Sequence, residues 1–162
     1  SSWSRMIPRR RRSARGRFIW KKVSYLDFQF PISNRQFISN QIKRTMNADE
    51  MKLRTKKFAL RIMKLADSLP RSPSGRMLAG QIVRSGTSVA ANYRAAGKGR
   101  SKAEFIAKLG IAEEEADETQ FWLEMIVESG IVSAKLLEPL QQEARELTAI
   151  IVASRISASK RK

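Results

Sequence analysis

Between residues 47 and 158, apolar side chains return every third or fourth position in four successive runs, and each run is closed by proline or glycine. That spacing puts one apolar stripe on each of four α-helices and leaves no room for strands. The first run is Met51, Phe58, Ile62, Leu65 and Leu69, stopped at Pro70. The second is Leu78, Ile82, Ser85, Val89, Asn92 and Ala96, ended by Gly97 and Gly99. The third is Phe105, Leu109, Ala112, Ala116, Thr119, Leu123 and Ile126, ending at Gly130. The fourth is Leu137, Leu140, Ala144, Leu147, Ile151 and Ser154, in which Pro139 either kinks the helix or marks its first turn. Asn47 with Glu50 and Ser101 with Glu104 have capping-box spacing. Ser72-Pro73 pairs an N-cap with a first-turn proline, and Ser133 is the candidate cap of the last helix. Short connections between long helices predict an all-α, antiparallel up-down-up-down four-helix bundle over residues 47–158.

Helix 2 is narrow on one side, through Ser85, Gly86, Ser88, Ala91 and Ala95. Gly86 in a helix interior costs about 1 kcal/mol relative to alanine, so close approach by a neighbour is expected to offset it. Helix 3 carries Glu113, Glu114, Glu115, Asp117 and Glu118 within one stretch. Arg84, Ser88 and Asn92 share a face of helix 2, and folding back through the 97–100 turn brings Arg84 near Glu113. The expected polar seam is therefore Arg84, Ser88, Asn92, Glu114 and Asp117, acting on register more than on net stability. Phe121, Trp122, Leu123, Met125, Ile126 and Val127 make the end of helix 3 apolar on nearly every side. One core covers only one stripe, so Phe121, Trp122 and Met125 are assigned to a self-association surface.

Charge is unevenly distributed. The net charge is +17, and residues 1–46 hold 12 Lys/Arg against one acid, Asp27. Within them Arg9 to Arg12 form a block of like charge, a pattern expected to stay solvated and without regular structure. Phe18 to Phe30 alternates enough for one short strand, closed by Pro31. Met46 directly precedes the first helix start, so residues 1–46 are read as upstream sequence translated in frame. A basic arm gripping RNA and an organelle-type leader are the alternatives. In the bundle, Lys52, Lys56, Lys57, Arg61 and Lys64 lie on the polar side of helix 1, and Arg94, Lys98, Arg100 and Lys102 surround the next turn. Lys56, Lys57, Arg61, Lys64, Arg94, Lys98, Arg100 and Lys102 are the candidate phosphate contacts. A short basic tail closes the chain at 159–162.

Several chemistries lack their residues. The chain has no cysteine and no histidine, which removes disulfides, thiolate sites and the commonest general base and metal ligand. Paired carboxylates in a bundle suggest a di-iron site, but that site needs Glu-x-x-His. No cofactor and no metal are expected. No apolar run approaches the roughly 18 residues of a membrane span, so the expectation is a cytoplasmic protein without a membrane partner.

Residues 49–155 resemble the bacterial four-helix bundle proteins first noticed as products of intervening sequences in 23S ribosomal RNA genes. The resemblance rests on Gln81, Arg84, Ser85-Gly86-Thr87-Ser88-Val89, Ala91-Asn92-Tyr93-Arg94-Ala95-Ala96, Arg100-Ser101-Lys102-Ala103-Glu104-Phe105, Glu113-Glu114-Glu115-Ala116-Asp117-Glu118-Thr119 and Phe121-Trp122-Leu123-Glu124. It implies a bundle that assembles into a ring, typically a pentamer. A relative, the accessory protein of diversity-generating retroelements, is a basic barrel that binds nucleic acid and a reverse transcriptase. The expected function is that of a non-enzymatic homo-oligomer binding RNA or a ribonucleoprotein through basic surfaces. The rival is a scaffold or accessory subunit whose partner is another protein.

Overall fold

A computed structural model describes residues 47–160. The expectations for residues 1–46, including the short strand, lie outside the described residues. Four helices follow in order: α1 Ala48–Ser68, α2 Pro73–Ala96, α3 Lys102–Glu128 and α4 Ala134–Lys160. At 1.5 Å per residue they are about 32–40 Å long. Consecutive helices pack side by side, α2 most extensively on α3, while α1 and α4 meet only sparsely. The last helix runs through Lys160, past the boundary expected at residue 158.

The caps explain where each helix starts. Asn47 Oδ1 accepts from the backbone N–H of Asp49 and Glu50, and Glu50 Oε2 accepts from Asn47 N at 3.0 Å, a complete reciprocal box. Ser72 caps α2 with Pro73 in the first turn, and Gly75 N donates to Ser72 Oγ at 3.1 Å. A Cβ on Gly75 would stand 2.0 Å from the Pro70 carbonyl oxygen, so only glycine lets the α1–α2 turn close this tightly. Ser101 caps α3 through Glu104 N, but the Glu104 carboxylate accepts from Arg100 N rather than Ser101 N. The reciprocal half of the expected box is thus moved back one residue. Gly130, at φ +72°, turns the chain between α3 and α4. The fourth helix starts at Ala134, and Pro139 lies inside it beyond the first turn.

The core follows the four predicted stripes. Leu65, Ile82, Leu109 and Leu147 all point inward, three of them fully buried. The gap between Met51 and Phe58 is filled by Thr55, fully buried, whose hydroxyl donates to the Met51 and Lys52 carbonyls of its own helix. That internal bond satisfies the hydroxyl and lets its methyl face the core. Gly86 sits against α1, where a Cβ would come within 2.8 Å of Ile62 Cγ2. The close approach expected at Gly86 is therefore by a side chain. Between α3 and α4, Gln120 Nε2 donates to Thr148 Oγ1 at 2.8 Å, and the Thr148 hydroxyl in turn donates to the Ala144 carbonyl. Arg155 pairs with Glu113 in the same register: seven residues back along α3 is seven forward along α4, which is antiparallel packing.

Candidate nucleic-acid interface

The first half of α1 and the last half of α2 enclose a cleft of about 590 Å³, lined by Asp49, Lys52, Leu53, Lys56, Ala90, Ala91, Arg94 and Lys98. Helical spacing builds it. Asp49, Lys52, Leu53 and Lys56 fall three or four apart on α1, while Ala90, Ala91, Arg94 and Lys98 do the same on the facing end of α2. The alanines leave open a space that larger side chains would fill. Lys52 reaches across the cleft: a Cβ on Gly97, at the end of α2, would lie 3.3 Å from Lys52 Cε. Its ammonium pairs with Asp49 Oδ1 at 2.9 Å. Arg94 and Lys98 sit at the C-terminal end of α2, where unpaired carbonyls favour cations. Four cations thus face one carboxylate in a single concavity.

Of the eight residues predicted to contact phosphate, the structure brings Lys56, Arg94 and Lys98 together here. Lys57, Arg61 and Lys64 are exposed on the outer face of α1, and Arg100 and Lys102 are exposed around the start of α3. Sequence reasoning missed Asp49, Leu53, Ala90 and Ala91 as lining residues and left Lys52 out of the contact set. The available signal was a small residue four positions before Arg94, which leaves the cationic face of α2 concave.

The polar seam differs from the expected one. Arg84 pairs with Glu118, and its Nη1 lies 3.7 Å from Glu115 Oε2. Glu114 and Asp117 are exposed. The reason is angular: at 100° per residue the acids of α3 spread around the helix. Glu113 turns toward α4 and meets Arg155, Glu115 and Glu118 turn toward α2, and Glu114 and Asp117 lie between the two seams. Asn92 Nδ2 donates to the Ser88 carbonyl of its own helix at 3.0 Å, so the Ser88–Asn92 pair closes on α2 instead of crossing to α3. Trp122 Nε1 donates to Glu118 Oε1 at 2.9 Å. That bond, with Arg84, holds the Glu118 carboxyl below the usual range. Burial pushes Glu115 up, and its Oε2 is buried without a hydrogen-bond donor.

At the end of α3, Trp122 packs partly into the core while Phe121 and Met125 remain 50 % and 38 % exposed. The Phe121 ring meets the Trp122 ring edge to face, centroids 4.8 Å apart. Met77, 47 % exposed, stands at the same level on α2, seven residues before Arg84 as Met125 is seven after Glu118.

The sequence model of the 23S rRNA-intervening sequence protein family matches residues 50–153. The chain belongs to this family. Among solved structures it is similar to a protein of unknown function from the S23 ribosomal protein family of Bacteroides thetaiotaomicron. The two are 32 % identical, with a TM-score of 0.64, over 68 % of this chain and 99 % of that one. No curated protein matches the sequence. The match to the 23S rRNA-intervening sequence proteins spans α2 and α3, most of α1 and α4, and every residue of the cleft except Asp49. Among the described residues no group of three or more His, Cys, Asp or Glu is placed to hold a metal ion, and no helix is long and apolar enough to cross a membrane.

Proposed function

We propose that this 23S rRNA-intervening sequence protein is a non-enzymatic, oligomeric RNA-binding bundle that holds RNA or a ribonucleoprotein by its phosphates. The observation that carries this reading is the α1/α2 cleft, where Lys52, Lys56, Arg94 and Lys98 converge on one concavity. Phosphates entering it release counterions from the RNA, so affinity arises from charge and falls steeply with salt. The lining holds no aromatic ring and no Asn or Gln amide, and its cations are suited to phosphate, so sequence preference is weak. Titration of structured RNA at low and high salt tests the reading: binding that weakens steeply supports it, and salt-independent binding removes it.

The exposed Phe121, Met125 and Met77 favour self-association through the far end of the α2–α3 pair, in the five-membered ring that the family resemblance implies. The same patch supports the second reading, a scaffold for another protein. Native mass separates them. Phe121→Glu with Met125→Glu reduces the assembly to single chains if the patch joins copies, and leaves the mass unchanged if it serves a different partner.

A further inference from the structure

We infer that the α1/α2 cleft takes a single strand of nucleic acid and excludes a duplex, a step that rests on the phosphate-binding reading of the same cleft. Its cations come from both sides, Lys56 from α1, Arg94 from α2 and Lys98 from the turn after α2, with Lys52 reaching from α1 to the end of α2. Packed helix axes lie about 8–10 Å apart, so a ligand that touches both walls must enter between their side chains. An RNA duplex is a stiff rod with its phosphates on a convex outer surface, a deep narrow groove and a wide shallow one. Docked here, it meets only the tips of these side chains. A single strand has rotatable bonds between successive phosphates and can set one against each wall.

The size agrees. The cleft of about 590 Å³ is half open to solvent and has the volume of a small-ligand site, roughly 300–1,000 Å³, which is too little for a double helix. The floor also agrees. Leu53 and Ala91 offer aliphatic surface on which a base can lie once it is unpaired. A paired base keeps its face inside the stack, so only a single strand gains from that floor. Because the lining holds no aromatic ring, the bases add little and phosphates dominate, giving a sequence-tolerant site.

The test uses the full chain and two labelled probes, a short oligouridine and a short RNA duplex with the same number of phosphates, in fluorescence anisotropy at fixed low salt. Ala91→Leu narrows the space between the two sides, so that a strand no longer reaches the cations of both, without changing charge. Ala91 is exposed and leucine is a good helix former, so the bundle is retained, as a thermal midpoint checks. The expected result is about tenfold weaker binding of the single strand, with duplex binding changed less than about twofold. If Ala91→Leu disturbs the fold, Lys56→Gln replaces it and must weaken the single strand more than the duplex. Equal weakening of both probes, or of neither, overturns the inference and leaves the phosphate reading standing. If the fourfold Gln variant of Lys52, Lys56, Arg94 and Lys98 binds both probes as the wild type does, the phosphate reading fails and the inference with it.

Discussion

Arg54 on α1 holds Glu143 on α4 by two parallel hydrogen bonds, Nε to Oε1 at 2.7 Å and Nη2 to Oε2 at 2.9 Å. The same Nη2 also reaches Glu146 Oε2 at 2.5 Å. These groups are largely shielded from water, and the two carboxylates push the guanidinium further up, so it stays charged. Because α1 and α4 otherwise touch sparsely, this fork is the main polar tie closing the bundle between its first and last helices. Arg54→Met leaves two half-buried carboxylates without their cation and is expected to lower unfolding free energy by about 2 kcal/mol. Arg54→Lys keeps the charge but loses the fork, and recovers only part of that. Urea unfolding of the two variants measures both.

Two glycines of α2 are expected to respond in opposite directions. Gly86→Ala drives a methyl into Ile62, with Cγ2 at 2.8 Å and Cγ1 at 2.9 Å, and destabilises by about 1–2 kcal/mol even after the gain in helix propensity. Gly80 is exposed with nothing within 4 Å of an added Cβ, so Gly80→Ala stabilises by about 0.5–1 kcal/mol. Combining Gly86→Ala with Ile62→Ala should cost less than the sum of the single changes, since the smaller side chain relieves the clash and the new methyl fills part of the cavity. Denaturant midpoints of the set decide it.

Glu118 and Glu115 predict opposite pH dependences. Folding depresses the Glu118 pKa, first through the Trp122 N–H and then through Arg84. Its contribution is present above the unfolded value of 4.5 and is lost as pH falls through the lower folded value. Folding raises the Glu115 pKa through burial, so its ionised form weakens the fold as pH rises from 4.5 through the raised value. At about pH 7, Glu118→Gln should lower the thermal midpoint and Glu115→Gln should raise it; both differences should shrink as pH drops below about 4. Thermal melts across that range check the two signs together.

The architecture was readable from the sequence because it depends on local quantities. The repeat of Leu78, Ile82, Ser85 and Val89, and the caps at Asn47, Ser72 and Ser101, fix helix faces and starts without reference to distant residues. What was not readable depends on which side chain arrives from elsewhere. Thr55 and Gln120 look like surface residues until a carbonyl of the same helix, or Thr148, satisfies them. Arg54 gave no local sign of its role, since Glu143 and Glu146 lie some ninety residues away. Arg84 meets Glu118 and Glu115 instead of the expected Glu114 and Asp117, because its partner is chosen by helix rotation as well as by level along the axis. In the same way, Lys56, Arg94 and Lys98 are marked by charge, while Ala90 and Ala91, which leave room between those charges, are marked only by their small size.

The most direct test of the account is the salt dependence of single-stranded RNA binding, measured for the wild type and for the variant with Lys52, Lys56, Arg94 and Lys98 all changed to Gln. Each phosphate contact adds about 0.7 to the slope of log affinity against log salt, so loss of four cleft cations should make the slope shallower by about 3. An unchanged slope would mean that RNA, if bound at all, is held elsewhere on the molecule, and would contradict the assignment of the cleft.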